Sequence, residues 1–303
     1  MTVKIPNCII CSKKRFKKLY AINNYSIVKC LNCSFVFIAP LPGKKELDIF
    51  YKKFKFSDGF VFEKLLRIDA RRSLSNLNAM GIKKGSILDV GCGAGFFIDE
   101  ARKQKWNVKG IDTAKSPIVY ASKKLKLPAE QKDILKHKTS ETYDVISLQQ
   151  VIEHLVDPYL VLEKINKLLK KDGILCVSTP NIESWLSIVL KERFNYLIPP
   201  EHILYFSPKT LEVLLEKAGF KVIRTTTYGY PMDFGGIYRA LREPKSELRK
   251  VTHKINTKNQ NQNKKTEKSI KNKFFEDTLC QYLHPLLNIF NKGSMVEIYA
   301  RKI

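Results

Sequence analysis

The sequence has few acidic residues and no long hydrophobic run. No apolar stretch reaches the roughly 18 residues that a membrane-spanning helix needs, and the first residues lack the apolar segment of a secretion signal. These absences argue against an integral membrane protein or an exported one, and a cytoplasmic protein is expected. With 303 residues, 44% hydrophobic and 27% charged, the chain is long enough for one α/β domain and an accessory module.

The shortage of acids leaves a strongly basic chain. Asp and Glu number 29 against 54 Lys and Arg, so the formal net charge is +25. Basic surfaces attract phosphate, which favours nucleic acid, an anionic membrane or a phosphate-bearing substrate as partner. The lysines, however, are scattered through almost every segment, as in a compositional bias. We interpret the positive charge mainly as the result of a compositional bias. A contribution of this charge to binding a phosphate-bearing substrate remains open.

Four of the seven cysteines form two close pairs near the start of the chain. A C-x2-C pair is followed by eighteen residues and a second C-x2-C pair, at Cys8, Cys11, Cys30 and Cys33. Each such pair turns two thiolates toward one tetrahedral metal ion, so the spacing predicts a zinc ribbon. Because protein thiolates fill all four positions, this zinc is expected to be structural and to have no open position for chemistry.

From residue 86 onward, apolar strands alternate with helices of about ten residues. Such alternation is typical of parallel βαβ units and predicts an α/β fold with a doubly wound sheet. A largely helical stretch is also predicted over 46–79, and an amphipathic helix over 274–290. Strands are predicted at 87–90, 106–111, 143–148, 173–178, 221–227 and 294–302, with helices at 96–105, from 116, from 157 to about 170, and at 209–217.

Three glycines stand at alternate positions in the segment DVGCGAG, residues 89–95, between a predicted strand and a predicted helix. Nucleotides bind at this place in doubly wound sheets. A nicotinamide-binding fingerprint, G-x-G-x-x-G, would require a glycine where Phe96 stands, so that class is not supported. We interpret the glycines as space for a ligand that approaches the backbone, which larger side chains would fill.

The segment ILDVGCGAG, residues 87–95, resembles motif I of class I methyltransferases that depend on S-adenosylmethionine (SAM). The resemblance implies a Rossmann-like, seven-stranded methyltransferase sheet and SAM as cofactor. It also implies that Asp89 places the amino group of SAM, that Asp112 binds the ribose hydroxyls, and that Asp133 and Ile134 contact adenine. The full set of cofactor-binding residues that it implies is Asp89, Gly91, Cys92, Gly93, Gly95, Asp112, Asp133, Ile134 and Gln149.

Segments beyond the cofactor half, at 151–158, 168–173, 178–181 and 200–208, are similar to a branch that includes the ubiquinone-pathway O-methyltransferases and many polysaccharide-cluster enzymes. Members with an N-terminal four-cysteine ribbon are similar to those of sugar-modifying pathways. The resemblance therefore implies O-methylation of a sugar, a glycan or a related small metabolite, including phosphate- or lipid-linked forms. It leaves peripheral membrane association open and makes nucleic acid a less favoured partner.

Glu153 and His154 follow directly after the strand at 143–148, at the carboxyl edge of the predicted sheet. Glu153, His154 and His202 are the candidate catalytic residues. His154 is a candidate base or substrate-orienting group, and His202 is a second candidate base; a purely structural role is the alternative for each histidine. Some ubiquinone-pathway relatives bind a divalent metal through Glu-x-x-Glu-His. Here Gln150 stands first, and an amide is a poorer ligand for a hard cation than a carboxylate. We therefore predict no active-site metal.

Five segments are predicted along the chain: a zinc ribbon at 1–39, a linker and helical cap at 40–84, the SAM-binding core at 85–235, a basic, polar insertion with an amphipathic helix at 236–293, and a final core strand at 294–303.

Two other functions remain open. One is RNA methylation, although the sequence has no Asn-Pro-Pro-Tyr-like motif and no catalytic cysteine motif for base methylation. The other is a non-catalytic binding module.

Overall fold

The computed structural model describes residues 7–43, 46–47, 59–230, 233 and 290–303. Within these residues there are eleven β-strands: β1 Phe16–Ile22, β2 Tyr25–Cys30, β3 Val36–Ala39, β4 Ser86–Val90, β5 Asn107–Asp112, β6 Ala129–Gln131, β7 Tyr143–Gln149, β8 Leu169–Pro180, β9 Leu204–Tyr205, β10 Phe220–Tyr228 and β11 Met295–Lys302. The same residues contain six α-helices: α1 Gly59–Ala79, α2 Phe96–Lys103, α3 Lys115–Val119, α4 Pro158–Leu168, α5 Trp185–Leu190 and α6 Pro208–Lys217.

Seven strands form one mixed sheet in the order β10-β11-β8-β7-β4-β5-β6. Neighbouring strands from β8 to β6 are parallel, whereas β11 is antiparallel to both β8 and β10. The predicted doubly wound, Rossmann-like α/β sheet is thereby confirmed. The parallel strands end together at one edge, so the residues that follow β4, β5, β7 and β8 meet there.

The core lies on both faces of this sheet. Successive side chains of a strand point to opposite faces, and adjacent residues of β4 accordingly belong to different apolar clusters. Ile87 shares one cluster with Leu74 of α1 and Phe97 of α2. Leu88 shares the other with Leu162 of α4. A strand buried on both sides reads as a continuous apolar run, which is why its position was readable from the sequence.

Helix α1 is tied to the start of α2 by charge. Arg67 donates hydrogen bonds of 2.7 Å to Asp99 and of 2.7 Å to Glu100, and its guanidinium carbon lies 4.9 Å from the centre of the Phe96 ring. Burial acts to raise the pKa of both carboxyl groups, but the bonds from Lys103 and Arg67 outweigh it and lower the pKa. The predicted helical stretch therefore packs on the helix that follows the glycine segment.

The N-terminal strands form a second, antiparallel sheet of order β1-β2-β3-β9. Its fourth strand comes from the middle of the chain, because Val36 pairs with Tyr205 and Phe37 pairs with Leu204. Phe35, which precedes β3, shares one apolar cluster with Leu211 of α6. The ribbon strands and the large sheet are thus joined by both backbone pairing and a common core.

Several element ends differ from the predicted ones. The helix predicted to end near residue 170 ends at Leu168, and the strand predicted at 173–178 spans 169–180. The reason is tertiary: Leu169 pairs with Tyr143 of β7, and its carbonyl accepts a hydrogen bond of 2.8 Å from Lys302. Some predictions lie outside the described residues. They are the helical predictions for 48–58 and 274–289 and most of the predicted insertion at 236–293. None of the described helices is both long and apolar enough to cross a membrane.

Candidate active site

The glycine segment forms a bend between β4 and α2. Gly91, Gly93 and Gly95 have φ angles of 76°, 51° and 80°, a left-handed region that other residues rarely adopt. The amide of Gly91 donates to the Ile111 carbonyl at 2.8 Å, and the amide of Gly93 donates to Asp112 Oδ2 at 2.8 Å. The bend is therefore fixed against the end of β5, where Asp112 stands.

The glycines of the bend serve different purposes. A Cβ atom at Gly91 would lie 2.4 Å from Val151 Cγ2, and one at Gly95 would lie 2.7 Å from Leu127 Cδ1. A Cβ atom at Gly93 would have no protein atom within 4 Å. From the sequence we inferred that all three glycines leave space for a ligand. That explanation for the use of glycine is sufficient only at Gly93. At the other two positions the protein itself occupies the space.

Asp89 lies inside the site and is 2% exposed. Its carboxyl group accepts a short hydrogen bond from the Ser147 hydroxyl of β7. Burial raises the pKa of Asp89 to about 7, and nearby Asp112 adds to the increase, whereas the Ser147 bond opposes it. A carboxyl group in this state gains most from a cationic partner, because the cation favours the charged form that burial disfavours.

The other predicted cofactor residues also lie at or beside the ends of strands. Asp112 accepts hydrogen bonds from the backbone amides of Gly93 and Ala114, at 2.8 and 2.7 Å. Its carboxylate oxygens thus hold the bend, and its contact with the ribose stays a prediction. Asp133 accepts from the Leu135 amide at 2.9 Å, which orders the turn that carries buried Ile134. Cys92, 8% exposed, has a raised pKa because of its burial and acts as a small apolar group.

Gln149 ends β7 and is tied to the neighbouring strand. Its Nε2 donates to Cys176 Sγ at 3.4 Å, and its Oε1 accepts from the Ser178 hydroxyl at 2.8 Å. Both polar ends of the side chain therefore have protein partners. The structure fixes the position of Gln149 at the edge of the sheet, and its contact with SAM stays a prediction.

The structure brings the three predicted catalytic residues together. Glu153 and His154 lie on a short 3-10 helix after β7, and His202 lies just before β9. One potential ligand atom from each lies within 4.8 Å of the others. The two imidazole rings meet edge to face, with centres 4.8 Å apart. Residues 48 positions apart thus form one cluster, which we call the Glu-His-His cluster.

Backbone carbonyls orient both imidazoles of this cluster. Nδ1 of His154 lies 2.7 Å from the Glu201 carbonyl oxygen, and Nδ1 of His202 lies 2.9 Å from that of Tyr196. A carbonyl oxygen can only accept, so Nδ1 carries the proton in both rings. In the neutral form each ring therefore has its lone pair on Nε2. The tautomer that suits proton abstraction or metal binding through Nε2 is thus set by the fold.

Burial keeps the cluster electrically neutral. It lowers the pKa of His154 to about 4, against the opposing bond to Glu201, and it holds that of His202 well below its usual range, with His154 adding to the effect. Burial also raises the pKa of Glu153 to about 8, although the Thr179 hydroxyl donates to Glu153 Oε2 at 2.9 Å. Near pH 7 both rings are neutral, with the single proton on Nδ1, while the Glu153 carboxyl group is mostly protonated.

The exposed surface of the cluster belongs mainly to one side chain. Glu153 and His202 are buried, at 1% and 7% exposure, whereas His154 is partly exposed. Among the described residues, Glu153 Oε1 has no hydrogen-bond partner. One carboxyl group and two imidazoles can transfer a proton, and they are also donors that a transition metal accepts. The donor set differs from Glu-x-x-Glu-His, because Gln150 stands in place of the first acid and His202 lies beside Glu153 and His154.

The described fold and site can be compared with known proteins. The sequence pattern of the methyltransferase domain matches residues 60–225, which is more than half of the chain. The chain belongs to this methyltransferase family. It is a SAM-dependent methyltransferase, and the predictions of family, fold and enzyme class are confirmed.

Two relatives are similar over about half of the methyltransferase. The ubiquinone biosynthesis O-methyltransferase of Aliivibrio fischeri (strain MJ11) is 32% identical over 157 residues, 48% of this chain and 67% of that enzyme. The enzyme of the same name from Actinobacillus pleuropneumoniae serotype 7 is 32% identical over 155 residues, 48% of this chain and 62% of that enzyme.

Two solved structures resemble the methyltransferase in fold. A SAM-dependent methyltransferase from Archaeoglobus fulgidus has a TM-score of 0.50 at 21% identity, covering 84% of this chain and 99% of that one. A SAM-dependent methyltransferase from Thermotoga maritima has a TM-score of 0.52 at 18% identity, with the same coverage. At such identity the likeness concerns the fold alone.

The four cysteines of the methyltransferase meet at the end of the ribbon sheet. Their sulfur atoms all lie within 4.8 Å of one another, and the Cys8–Cys33 and Cys11–Cys30 pairs are 3.5 Å apart. Four sulfurs bound tetrahedrally to one zinc ion would be separated by about 3.8 Å. The described arrangement is therefore compatible with a structural zinc site.

Three contacts in the site of the methyltransferase were not predicted. The Thr179 hydroxyl binds Glu153, and the carbonyls of Tyr196 and Glu201 bind the two imidazoles. Thr179 lies in a segment that carried the family resemblance, so its neighbourhood was marked although its role was not. Backbone carbonyls are present at every residue and leave no signal in a sequence.

Proposed function

We propose that the methyltransferase transfers a methyl group from SAM to a hydroxyl oxygen of a sugar, a glycan or a related small metabolite. The observation that carries this proposal is the state of His154. Its imidazole is partly exposed at the edge of the sheet, neutral near pH 7, and held by the Glu201 carbonyl in the tautomer whose Nε2 can accept a proton.

The chain offers a suitable cradle for SAM. The backbone at Gly93 is open to a ligand, because a Cβ atom there would meet no protein atom within 4 Å. The carboxyl groups of Asp89 and Asp112 stand beside it and suit a cationic ligand with hydroxyl groups. When bound, SAM supplies an electrophilic methyl group on a positively charged sulfur.

The chain's own contribution is to align the acceptor and remove its proton. Methyl transfer to the acceptor oxygen would release the hydroxyl proton, and His154 Nε2, which lies beside Glu153, would accept it. A positioned base of this kind contributes roughly 10²- to 10⁴-fold in rate.

The same cluster supports an alcohol as the acceptor. An alcohol hydroxyl is a weak acid, so its methylation profits most from a base on the enzyme. The N-terminal ribbon and the replacement of the first metal-binding acid by Gln150 also separate this chain from the metal-dependent ubiquinone pattern. The basic surface suits acceptors that carry phosphate. A second candidate is an acceptor of ubiquinone biosynthesis, which the names of the two relatives favour.

We further propose that one zinc ion is bound by Cys8, Cys11, Cys30 and Cys33. The distances between their sulfur atoms support this. Four thiolates fill a tetrahedral shell, so this ion would stabilise the ribbon and take no part in the methyl transfer.

Incubation with methyl-labelled SAM tests the function. The acceptors are separated fractions of saccharides, nucleotide sugars, lipid-linked saccharides, quinone precursors and RNA. Label in a saccharide fraction, stable to mild base as a methyl ether is, supports the proposal. Label in quinone precursors supports the second candidate. Label in RNA, or the absence of transfer to any hydroxyl while SAM still binds, overturns the proposed acceptor class.

A further inference from the structure

One segment lies between the cysteine ribbon and the Glu-His-His cluster. Residues 198–206, which we call the bridging segment, contain His202 and β9. Ile203 is bonded on both sides: its carbonyl accepts from the Ile38 amide of β3 at 3.0 Å, and its amide donates to the Glu153 carbonyl at 2.9 Å. A single residue thus connects the ribbon to the 3-10 helix that carries Glu153 and His154.

Further ribbon contacts hold the bridging segment along its length. Near its start, Asn23 Nδ2 donates to the Pro199 carbonyl at 3.1 Å. At its other end, β9 pairs with β3, and the Phe206 ring lies 5.2 Å from that of Phe35, between centres. The segment is therefore bound to the ribbon before, at and after His202.

The bridging segment also carries one of the two imidazoles and the carbonyl partner of the other. His202 belongs to it, and the Tyr205 hydroxyl donates to the His202 carbonyl at 2.9 Å. Its Glu201 carbonyl binds Nδ1 of His154. A displacement of the segment would therefore release His154 from its tautomer-setting partner and move the ring of His202 away.

In the described part of the chain, the cofactor cradle is held by other elements than the Glu-His-His cluster. The bend at 91–95 is held by Ile111 and Asp112 of β5, and Asp89 is held by Ser147 of β7. All of these lie on strands of the large sheet. A change in the ribbon is therefore expected to reach the Glu-His-His cluster and leave the cradle in place.

We propose that the four-cysteine ribbon is a positioning element of the active site. By binding its metal, the ribbon keeps β3 in place, β3 keeps the bridging segment in place, and the segment holds His154 and His202 in register for proton transfer. Ile38, Asn23 and the four cysteines act through the segment and do not touch the reacting atoms. The part played by the histidines rests on the proposed function, whereas the mechanical coupling does not.

The first experiment compares the full-length wild type with Cys33→Ser and with chelator-treated wild type. Nitrogen-15 NMR of the histidine rings reports the bonded Nδ1–H of His154, and calorimetry reports SAM binding. We expect the His154 and His202 signals to shift or broaden when the ribbon loses its metal, while the Kd for SAM stays within about two-fold. With a labelled acceptor, kcat should fall at least about tenfold and KM should change less.

A milder pair of variants covers the case in which Cys33→Ser fails to fold. Asn23→Asp removes the amide donor to Pro199 and retains a residue type that tolerates the left-handed φ of 46° at this position. Asn24→Asp is the matched control, because Asn24 is also exposed and has a φ of 65°, whereas the bond to Pro199 comes from Asn23. We expect a two- to three-fold fall in kcat and a shifted His202 signal for Asn23→Asp alone.

Unchanged histidine signals in metal-free protein that still binds SAM would overturn the proposal. So would equal effects of the Asn23 and Asn24 variants. These outcomes are separate from failure of the proposed function. The ring signals and SAM binding are measured without an acceptor, so they test the coupling even where no hydroxyl is methylated.

Discussion

The cysteine cluster and the Glu-His-His cluster are opposite kinds of polar site. Each gathers its donor atoms within 4.8 Å, but the cysteines come from two short pairs in one small sheet, while the other cluster joins residues of two distant segments. Thiolates at C-x2-C spacing reach a metal through local geometry. The Glu-His-His cluster depends on burial and on hydrogen bonds to the carbonyls of Glu201 and Tyr196, and both arise only when the chain has folded. The comparison shows that proximity of donor atoms does not by itself define a site. The contacts that hold the donor atoms in place also define it.

The largest expected effect concerns metal at the cysteine cluster. Wild type should contain one zinc ion per chain, and Cys33→Ser should contain none, with a large loss in Tm, because structural zinc binding amounts to about 10–16 kcal/mol in zinc-finger peptides. Metal analysis and thermal unfolding measure both. Cys176→Ser, at a buried core cysteine, is the control and should keep its zinc. Loss of metal in His202→Ala instead would contradict our prediction that the active site holds none.

The next effect concerns proton transfer at the Glu-His-His cluster. His154→Gln should lower kcat by roughly 10²- to 10⁴-fold, because the base is lost, while the Kd for SAM changes by less than about three-fold. Calorimetry and a labelled-methyl assay separate the two. His137→Gln is the matched control, since His137 is also buried, at 1% exposure, and lies outside the cluster. Equal loss in both variants would make the effect structural.

Glu153 gives the third effect, on the free energy of unfolding. Its pKa rises from 4.5 to about 8 in the folded state. The folded chain then holds a proton that the unfolded chain releases, so this stabilisation is complete below pH 4.5 and disappears as the pH rises to 8. For wild type, this group should lower the free energy of unfolding by roughly a few kcal/mol between pH 5 and pH 8. Glu153→Gln should remove this dependence on pH. Urea unfolding at both pH values measures it, and parallel pH curves for the two proteins would contradict the assignment.

The smallest effect concerns Asp89, a carboxyl group at a recognisable motif. Its pKa of about 7 means that the cradle must release a proton before the carboxylate can pair with a cationic amino group. The affinity for SAM should therefore rise about tenfold from pH 6 to pH 8. Asp89→Asn should bind more weakly and with less dependence on pH. Calorimetry at several pH values checks this, and equal pH dependence in wild type and variant would remove Asp89 from this role.

Much of the fold could be predicted because its signals are local. The apolar run of β4, the proline and serine that begin α6, and the glycine bend each depend on neighbouring residues. The length of β8 was not predictable, because Leu169 is in a strand only through its contacts with Tyr143 and Lys302. The reason for Gly91 was also missed, since Val151 fills the space beside it.

The features of the candidate site also divide into those with a local sequence signal and those that depend on tertiary contacts. Sequence placed Glu153 and His154 at the sheet edge, because residues that follow a parallel strand must lie there. It named His202 without its partner His154, since a separation of 48 positions leaves the relative position of two side chains undetermined. The bond from Glu153 to Thr179 and the pairing of β3 with β9 were equally hidden.

By itself, the sequence determined the class of enzyme, the glycine bend between β4 and α2 and the set of thiolates, because each is written within a few consecutive residues whose spacing matches the chemistry. Tertiary structure alone decided that two distant histidines meet, that their rings are neutral with a defined tautomer, and that the ribbon reaches them through Ile203. Burial and long-range backbone pairing exist only in the folded chain, and these are the two causes on which the proposed proton transfer depends.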